Sequence, residues 1–428
     1  MLDIKFIREN PEKVKWACEV KGFADRTDEI IALDIRVREL KTTTQTKTAY
    51  KNKITAKIPG ANPSARMGYI NESKRVNAEL ASEMAELTDK EAILNDLLHR
   101  VPQIPATTEP IGADSDANIE LRRMGNIRDF DFTPRPHWDI LDMNGWWMPE
   151  KIADICGSRT YCLIGEAAEL DDAIRAFVTQ KMIAKGFSYI HVPAITKPQS
   201  VFDAGHFLGS DLSVMNNDVF MLEDTDRSLA GTAEITLNKL HANEIMAEDA
   251  LPIKYAGYSH CFRKEAGAAG RDTRGLYRIH EFHKVEQYVY CKPEQSDEMF
   301  DYMLGNLCEI LSDMELPNRV IATSTGDMGF NKIKMHDVEV LMPGQDRWGE
   351  AGSCSAIGEF QARRTMTRYR ENGTNEVKFC ATLNNTAIAL PRALAFIIEN
   401  HQNADGSVSI PKALQPLMGG RTRIGAKN

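Results

Sequence analysis

The sequence predicts an α+β fold in which an N-terminal antiparallel hairpin of two long helices precedes a largely antiparallel sheet. Three observations support this fold class. Apolar residues recur at a three-four spacing in roughly the first hundred residues, which indicates helices. Runs rich in β-branched and aromatic residues, bounded by turn residues, recur in the rest of the chain. With 428 residues and 43% hydrophobic content, the chain can form two domains with separate cores.

Two apolar stripes predict the helical hairpin. The first helix runs from Asp28 to about Lys57 and ends before Pro59, and the second ends before Pro102. The turn segment PGANPSA, 59–65, joins them, and a heptad-like seam needs only its partner helix to bury it, so the hairpin can project as an arm. The stripe positions are Ile30, Leu33, Val37, Leu40, Thr44 and Ile54 in the first helix and Ile70, Leu80, Met84, Leu87, Leu94 and Leu98 in the second.

The two helices of the arm differ in charge. Seven bases and one acid, Glu39, fall between Arg36 and Lys57, a net charge of +6, whereas the return helix is rich in glutamate. A basic rod suits a phosphate backbone, which attracts lysine and arginine regardless of base sequence. Pairing of these bases with glutamates of the other helix is an equally open alternative. The seven bases are Arg36, Arg38, Lys41, Lys47, Lys51, Lys53 and Lys57.

The overall composition excludes several classes of protein. A net charge of −9 gives no overall basic surface for nucleic acid, so any such contact must be local. The eight cysteines are scattered, without a C-x-x-C pair or a histidine at zinc-ligand spacing, which favours reduced thiols and no zinc site. No apolar stretch has the length of a signal peptide or of a membrane span, so we expect a cytoplasmic protein without membrane contact.

Composition also suggests the domain organisation. We expect an N-terminal domain over 1–105, with the arm at about 28–100, then a polar linker over 106–135 and a main domain over 136–428. A doubly wound sheet is disfavoured because the sequence has neither G-x-G-x-x-G nor a Walker loop. The main domain should contain helices at 170–184, 296–314 and 391–401 and strands at 187–195, 218–222, 252–262, 277–291, 336–342 and 376–383.

One stretch, FRKEAGAAGRDTRGLYRIHEFHKVE at 262–286, combines many charges with apolar residues. It predicts a β-hairpin. Side chains alternate along a strand, so Arg278, Phe282 and Glu286 share one face, with about 13 Å between residues four apart. On this face an arginine can bind a phosphate, an aromatic ring can stack on a base and a carboxylate can bind an amine. The pattern therefore favours a site for a nucleotide-sized ligand over a solvated hairpin with incidental charge. The predicted segments are strands at 262–267 and 276–291 and a loop at 268–275.

This stretch resembles motif 2 of the class II aminoacyl-tRNA synthetases, in the form found in bacterial-type seryl-tRNA synthetases. Other segments resemble the same family in the same order. GSRTYCLIGEAAELDDAIRAF at 157–177, with the strand that follows it, is similar to motif 1, and SLAGTAEITL at 228–237 carries the family's TAE triplet. Residues 327–364 resemble the segment before motif 3, and TLNNTAIALPRALAFIIENHQ at 382–402 resembles motif 3. The resemblance covers essentially the whole chain, including the arm.

The resemblance implies a class II synthetase catalytic domain and a tRNA-binding arm. The implied activity is ATP-dependent activation of L-serine to seryl-adenylate and transfer of serine to the 3′ end of tRNA(Ser), with tRNA(Sec) as a further candidate acceptor. ATP would act with Mg²⁺, and the enzyme would be a homodimer with the motif 1 helix and strand at its interface. The seven bases of the arm would contact the tRNA.

For ATP, the resemblance assigns two catalytic arginines. Arg263 would bridge the serine carboxylate and the α-phosphate, and Arg392 would bind the γ-phosphate together with Arg278. Phe282 would stack on the adenine, and Glu265 would contact the adenine end of the nucleotide. A hard cation beside phosphates would take oxygen ligands. The implied Mg²⁺ ligands are Glu350 and Ser353, within an ATP site of Arg263, Glu265, Arg278, Phe282, Glu350, Ser353 and Arg392.

For serine, the resemblance assigns a pocket that reads a small hydroxyl group. If Glu286 and Thr386 hydrogen-bond that hydroxyl, alanine is rejected because it leaves buried polar groups unpaired, while threonine is excluded by space. The run NNTA in motif 3 replaces the family's NGSG form, and both supply a small hydroxyl. The implied serine-binding residues are Thr232, Glu234, Arg263, Glu286, Asn384 and Thr386.

Two alternatives from other classes stay open on the sequence alone. A paralogue could adenylate serine or a related small amino acid and pass it to a non-tRNA acceptor, although the full-length arm argues against this. A non-catalytic RNA-binding homologue is expected to have lost an ATP-contacting arginine or the metal carboxylate. The residues that it should have lost, Arg263, Arg278, Glu350 and Arg392, are all present.

Overall fold

The computed structural model describes residues 1–207, 219–266, 272 and 274–426. They form two compact units, of which the first ends at Pro102 and the second begins at Gln103. The division lies close to the boundary that the sequence predicts at residue 105. Among the described helices, none is both long enough and apolar enough to span a membrane.

The helices and strands alternate irregularly along the chain, as expected for an α+β protein. The helices are α1 (Ile4–Glu9), α2 (Pro11–Val20), α3 (Thr27–Thr55), α4 (Pro63–Arg100), α5 (His137–Met143), α6 (Pro149–Cys156), α7 (Glu166–Ala184), α8 (Pro198–Ala204), α9 (Glu234–Leu237), α10 (Ser296–Asp313), α11 (Phe360–Thr365) and α12 (Leu390–Asn400). The strands are β1 (Ile119–Met124), β2 (Ser188–His191), β3 (Ile195–Thr196), β4 (Met221–Leu222), β5 (Arg227–Leu229), β6 (Ile245–Ala247), β7 (Ile253–Phe262), β8 (Glu281–Cys291), β9 (Asn318–Ala322), β10 (Lys334–Met342), β11 (Arg347–Gly358), β12 (Arg368–Arg370), β13 (Val377–Phe379), β14 (Ala381–Ala389), β15 (Val408–Ser409) and β16 (Arg423–Ile424).

In the first unit, α3 and α4 form the predicted antiparallel hairpin, here called the arm. Asn62 caps α4 by accepting a hydrogen bond from the Ala65 backbone N–H (2.9 Å). The stripe of α3 is buried except for Leu33, which is partly exposed, and Thr44 satisfies its hydroxyl by donating to the Leu40 carbonyl (2.8 Å). Met84 is 54% exposed, so its assignment to the stripe of α4 is wrong.

The second unit is built on an eight-stranded sheet in the order β1-β9-β10-β11-β14-β8-β7-β2. Every neighbouring pair is antiparallel except β2 with β7, which confirms the predicted largely antiparallel sheet. Helices α7, α10 and α12 bury their apolar residues against this sheet in one large core. Smaller sheets, β13-β12-β6, β3-β5-β4 and β15-β16, lie beside it.

The segment 106–135 is not the linker that its polar composition predicts. It contains β1, which pairs antiparallel with β9, and the Asn118 side chain accepts a hydrogen bond from the Ser324 backbone N–H (2.8 Å). β1 is an edge strand, and five of its six residues are exposed. The prediction is wrong because an exposed edge strand can have the same composition as a linker.

The predicted β-hairpin is formed by β7 and β8, but its limits differ from the prediction. β7 ends at Phe262, so the predicted strand at 262–267 is wrong over 263–266, and β8 begins at Glu281 and not at Leu276. Gly275 has a φ of +85°, and the Leu276 backbone N–H donates to the His137 imidazole (2.9 Å), which prevents strand pairing there. The predicted strand and loop residues 267–271 and 273 lie outside the described residues.

Candidate active site

Side chains from β8, β11 and β14 line two adjoining cavities of about 710 Å³ and about 50 Å³. Every residue that the sequence resemblance assigns to serine or ATP lines at least one of them. Thr232, Glu234, Glu286, Ser353 and Asn384 line the larger cavity, Phe282 and Arg392 line the smaller one, and Arg263, Glu265, Arg278, Glu350 and Thr386 line both.

Strand geometry brings these side chains together. Lys284 and Glu286 lie on the same face of β8 because side chains alternate along a strand. β14 pairs antiparallel with β8 and places Thr386 opposite Glu286. β11, on the other side of β14, brings Glu350 and Ser353 to the same cavity. Residues far apart in sequence therefore meet through strand register.

Glu234 lies at the buried end of the larger cavity. Its Oε1 accepts hydrogen bonds from Asn384 Nδ2 (2.5 Å) and Gln361 Nε2 (2.7 Å). Burial raises the pKa of Glu234, and the hydrogen bond from Gln361 and the charge of Lys284 oppose that shift. These two amide groups fix the orientation of a carboxylate that can accept further hydrogen bonds from an ammonium group.

Glu286 forms a buried ion pair with Lys284. Lys284 Nζ lies 2.5 Å from Glu286 Oε2 and donates a hydrogen bond to Thr232 Oγ1 (2.8 Å). Burial raises the pKa of Glu286, and the adjacent Lys284 ammonium lowers it. Two residues predicted for serine, Thr232 and Glu286, are thus connected by a lysine.

Lys284 and Gln361 are site residues that the sequence assignment missed. Lys284 shares the period-two face of Phe282 and Glu286, so strand alternation alone is a signal for it. Gln361 lies on α11, within the segment at 327–364 that resembles the family but without an assigned role, and only the folded chain brings it to Glu234.

The remainder of motif 2 places arginines along both cavities. Arg278 Nη1 donates to Glu265 Oε2 (2.5 Å), so these two predicted ATP residues form an ion pair. The Arg263 guanidinium lies over the Phe282 ring, 5.4 Å from its centroid, and Arg263 Nε donates to the Gly231 carbonyl (3.3 Å). Positive charge and an aromatic face are therefore adjacent, but through Arg263; Arg278 does not share a strand face with Phe282 as predicted, because β8 begins only at Glu281.

Arg392, at the start of α12, is held by backbone groups. Its Nη1 donates to the Glu350 carbonyl (2.9 Å) and lies 3.3 Å from Glu350 Oε2, while its Nε donates to the Tyr277 carbonyl (3.3 Å). The Tyr277 hydroxyl accepts a hydrogen bond from the Glu350 backbone N–H (2.7 Å). Burial raises the pKa of Glu350, but Arg392 and Arg263 lower it by more, which keeps this carboxylate ionised.

The donor set around Glu350 fits a Mg²⁺ ion that arrives with a phosphate ligand. Ser353 Oγ is buried and has no hydrogen-bond partner among the described residues, and the same holds for Oδ1 of Asp337, which faces Ser353 across the β10–β11 pair. Burial, followed by the charge of Glu350, raises the pKa of Asp337 to about 8. No cluster of three His, Cys, Asp or Glu side chains able to hold a metal occurs among the described residues. A hard cation would therefore complete its oxygen shell from the nucleotide and water.

Three of the seven basic residues of the arm are paired with acids of the return helix. Lys47 Nζ lies 2.8 Å from carboxylate oxygens of both Glu79 and Glu83. Arg36 pairs with Glu86 (2.8 Å), and Lys41 pairs with Glu91 (2.8 Å). The pairing alternative left open by the sequence is thus present for these three bases. Of the other four bases, Arg38 pairs with Asp34, Lys51 donates a hydrogen bond to Asn77, and Lys57 lies over the Tyr69 ring. Lys53 is the fourth.

Comparison with known proteins identifies the family. A protein named serine–tRNA ligase from Deinococcus radiodurans is 42% identical over 427 residues, which cover 99% of both chains. This chain belongs to the seryl-tRNA synthetase family. A second serine–tRNA ligase, from Symbiobacterium thermophilum, is 38% identical and covers 97% of this chain and 98% of its own. Residues 1–105 match the model of the seryl-tRNA synthetase N-terminal domain, and residues 220–401 match that of the tRNA synthetase class II core domain (G, H, P, S and T).

Solved structures of seryl-tRNA synthetases have the same fold. The enzyme from Pyrococcus horikoshii complexed with ATP superposes with a TM-score of 0.92 at 33% identity, and each chain is covered completely. The cytoplasmic serine–tRNA ligase from Naegleria fowleri in complex with AMP superposes with a TM-score of 0.88 at 29% identity, covering 100% of this chain and 99% of its own. The similarity therefore extends over both units and is not confined to the class II core.

Proposed function

We propose that this chain is an ATP-dependent serine–tRNA ligase, which converts L-serine to seryl-adenylate and then transfers the seryl group to the 3′ end of tRNA(Ser). One observation carries the proposal. The residues predicted for serine and for ATP come from separate segments of the chain, and all of them line two adjoining cavities. The full-length similarity to proteins named serine–tRNA ligase supports the same function.

In the proposed first step, a serine carboxylate oxygen bonds to the α-phosphorus of ATP as the bond from that phosphorus to the leaving pyrophosphate breaks. No protein nucleophile is needed, so positioning and charge stabilisation carry the reaction. Arg263 bridges the two reacting groups, and Arg278 and Arg392 bind the γ-phosphate. Glu265 contacts the adenine end of the nucleotide, and Phe282 stacks on the base. The ion pair between Arg278 and Glu265 holds a phosphate-binding residue beside an adenine-binding one.

Serine is selected by polar groups that are already fixed in place. Glu286 and Thr386 lie opposite each other on β8 and β14 and hydrogen-bond the serine hydroxyl. Glu234, held by Asn384 and Gln361, binds the serine ammonium together with Thr232. An amino acid without the hydroxyl leaves the first pair unsatisfied, which costs about 1–3 kcal/mol for each group.

The proposed tRNA contact lies on the arm, through its seven bases. The pairs formed by Arg36 and Lys41 are exposed, and such pairs contribute at most about 1 kcal/mol, so a phosphate can replace the glutamate at little cost. Release of counterions from the tRNA adds to the gain. tRNA(Sec) is a further proposed acceptor because an arm that binds the backbone does not read base sequence.

The remaining proposals concern the metal, the quaternary structure and the location. Glu350 and Ser353 would hold a Mg²⁺ ion bound to ATP, and the ion would supply neutralisation of phosphate charge. The enzyme is a homodimer with α7 and β2, the motif 1 elements, at the interface. β2 is an edge of the eight-stranded sheet, where unpaired backbone groups favour a partner.

We propose the cytoplasm as the location of the enzyme, where ATP, serine and uncharged tRNA meet.

Two assays on the purified chain test this function in sequence. The first measures serine-dependent exchange of pyrophosphate into ATP without tRNA, and the second measures charging of tRNA(Ser) with labelled serine. The proposal predicts both activities, with alanine and threonine inactive in the first assay. Exchange without charging would indicate a different acceptor, and the absence of both would refute the proposal.

A further inference from the structure

Glu399 on α12 is a buried carboxylate to which the proposed reaction gives no substrate contact. The Glu399 side chain is fully buried. Its Oε1 accepts hydrogen bonds from His137, through both the backbone N–H (3.1 Å) and Nδ1 (2.7 Å), and from Gln345 Nε2 (2.7 Å). Its Oε2 accepts from the Gly344 backbone N–H (3.0 Å). One carboxylate therefore connects α12 with the start of α5 and the turn between β10 and β11.

His137 passes this connection to motif 2. Its Nε2 lies 2.9 Å from the Leu276 backbone nitrogen, and both the His137 side chain and Leu276 are fully buried. A backbone N–H can only donate, so Nε2 must be the unprotonated nitrogen, and the ring proton on Nδ1 is donated to Glu399. The carboxylate thus sets the tautomer and the ring orientation that Leu276 requires.

Leu276 is followed by Tyr277, which lines the smaller cavity, and by Arg278 of the proposed ATP site. The Tyr277 carbonyl accepts from Arg392 Nε (3.3 Å), and the Tyr277 hydroxyl accepts from the Glu350 backbone N–H (2.7 Å). Arg278 is the next residue, and it pairs with Glu265. A shift of the backbone at Leu276 would therefore move three groups proposed to contact the triphosphate or its metal.

A second route connects Glu399 to Arg278. Gln345, which donates to Glu399, accepts from Arg347 Nε (3.0 Å), and Arg347 Nη2 donates to Asp272 Oδ1 (2.8 Å). Asp272 Oδ2 lies 3.6 Å from Arg278 Nε. Both routes start at Glu399 Oε1, one through His137 and one through Gln345, and both end at motif 2.

We infer that His137 and Glu399 are positioning residues for the ATP site. Through Leu276 and Gln345, they hold the segment 275–278 in the place where Arg278 and Arg392 share one phosphate. The inference rests on the proposed function, since it assigns those arginines to ATP. It predicts that loss of this network weakens ATP binding and leaves serine binding intact, because no side-chain hydrogen bond or ion pair among the described residues joins Glu286 or Asn384 to it.

Two substitutions of one residue separate its two hydrogen bonds. In His137→Asn the amide nitrogen replaces Nδ1 and still donates to Glu399, but nothing accepts from the Leu276 N–H. In His137→Gln the longer side chain brings an acceptor to the Nε2 position. We expect His137→Asn to raise the KM for ATP in pyrophosphate exchange by about tenfold, with the KM for serine within about twofold. His137→Gln should return the KM for ATP to within about threefold of the wild-type value.

Another buried His–Glu pair supplies the control. His336 Nε2 lies 3.2 Å from Glu109 Oε2, and the His336 ring packs on Phe300 of α10. His336→Asn should lower the melting temperature as His137→Asn does, without changing the KM for ATP. If the His137 variants fail to fold, Gln345→Met, in a turn, interrupts the second route and should raise the KM for ATP about threefold.

The outcomes distinguish this inference from the proposed function. An unchanged KM for ATP in His137→Asn and Gln345→Met, in a wild-type enzyme that performs exchange, would overturn the inference alone. Equal increases in the Asn and Gln variants of His137, or an increase in His336→Asn, would show a merely structural effect and would also overturn it. A wild-type chain without exchange would refute the function itself.

Discussion

The basic residues of the arm and those of the cavities are of the same types, but their surroundings differ. Arg36 and Lys41 of the arm are 46% and 52% exposed and pair with glutamates on the neighbouring helix. Arg392 and Lys284 are 19% and 6% exposed and are held by carbonyl, hydroxyl and carboxylate groups from several elements. Exposed pairs exchange partners readily, whereas buried ones keep a fixed geometry.

The arm and the cavities are therefore suited to different tasks. An arm with exchangeable pairs can accept a phosphate backbone at many positions without a defined register. A cavity with buried, fixed cations can orient one triphosphate and stabilise charge that develops during reaction. Substitutions should therefore have large effects on chemistry in the cavities, and the arm should influence only the use of tRNA.

The largest effect is expected for the cavity residue proposed to bridge both substrates. Arg263→Ala should lower the rate of serine-dependent pyrophosphate exchange by about a thousandfold or more, because it removes charge stabilisation at the reacting phosphate. Arg370→Ala, an exposed arginine on β12, serves as the matched control and should keep the wild-type rate. Exchange by Arg263→Ala within about tenfold of wild type would show that this guanidinium does not contact the reacting groups.

Removal of the arm should affect the use of tRNA and leave the chemistry of the cavities unchanged. Deletion of residues 36–98, closed by a short glycine linker, should leave pyrophosphate exchange within about threefold of wild type. Charging of tRNA(Ser) should fall by about a hundredfold or more, because the phosphate contacts and the counterion release are lost. Normal charging by the shortened protein would contradict the proposed role of the arm.

An intermediate effect is expected at the hydroxyl of the serine pocket. Thr386→Val keeps the shape of the side chain and removes its hydroxyl, so the KM for serine should rise about tenfold while the KM for ATP stays constant. Thr386→Ser retains the hydroxyl and should stay close to wild type. If Thr386→Val discriminates serine from alanine as well as the wild type does, another group reads the hydroxyl.

The smallest effect concerns a carboxylate whose pKa is raised. A hydrogen bond from Lys47 lowers the pKa of the half-buried Glu79 on the arm, whereas desolvation, assisted by Asp172, raises the pKa of the half-buried Asp171 on α7 to about 7. The folded protein therefore holds the Asp171 proton between about pH 4 and pH 7, where the unfolded chain releases it, and stability falls as the pH rises through that range.

Asp171→Asn removes this contribution because the amide cannot ionise. Relative to wild type, the variant should gain a few degrees in melting temperature at pH 8 and almost nothing at pH 4. Thermal unfolding at both pH values measures the difference. An equal change at the two values would show that Asp171 is already ionised in the folded protein at low pH.

Much of the fold could be predicted from local patterns. The three-four spacing predicts the bounds of α3 and α4 to within a few residues. Runs rich in β-forming residues predict the bounds of β7 and β10 nearly as observed. Strand β11, RWGEAGSCSAIG, was missed because its small residues have little β-propensity, and its place between β10 and β14 comes from tertiary pairing. β1 was missed because an edge strand faces solvent.

Strand alternation at 276–286 indicated a nucleotide-sized site, and the resemblance to a family supplied the remaining site residues. The family motifs contain Thr386 and Glu286, but only the pairing of β8 with β14 places these two residues opposite each other. Lys284 was recognisable as a member of the same strand face, yet its position between Thr232 and Glu286 depends on three-dimensional contacts. His137 lies far from every motif, so its contact with Leu276 has no local signal.

A crystal structure with a non-hydrolysable seryl-adenylate analogue tests the central claim most directly, namely that the fixed cations of the cavities hold one nucleotide beside one serine. We expect the phosphate to lie within hydrogen-bond distance of Arg263, the adenine to stack on Phe282 and the serine hydroxyl to lie between Glu286 and Thr386. An analogue bound elsewhere, or these side chains directed into bulk solvent with the analogue present, would contradict it.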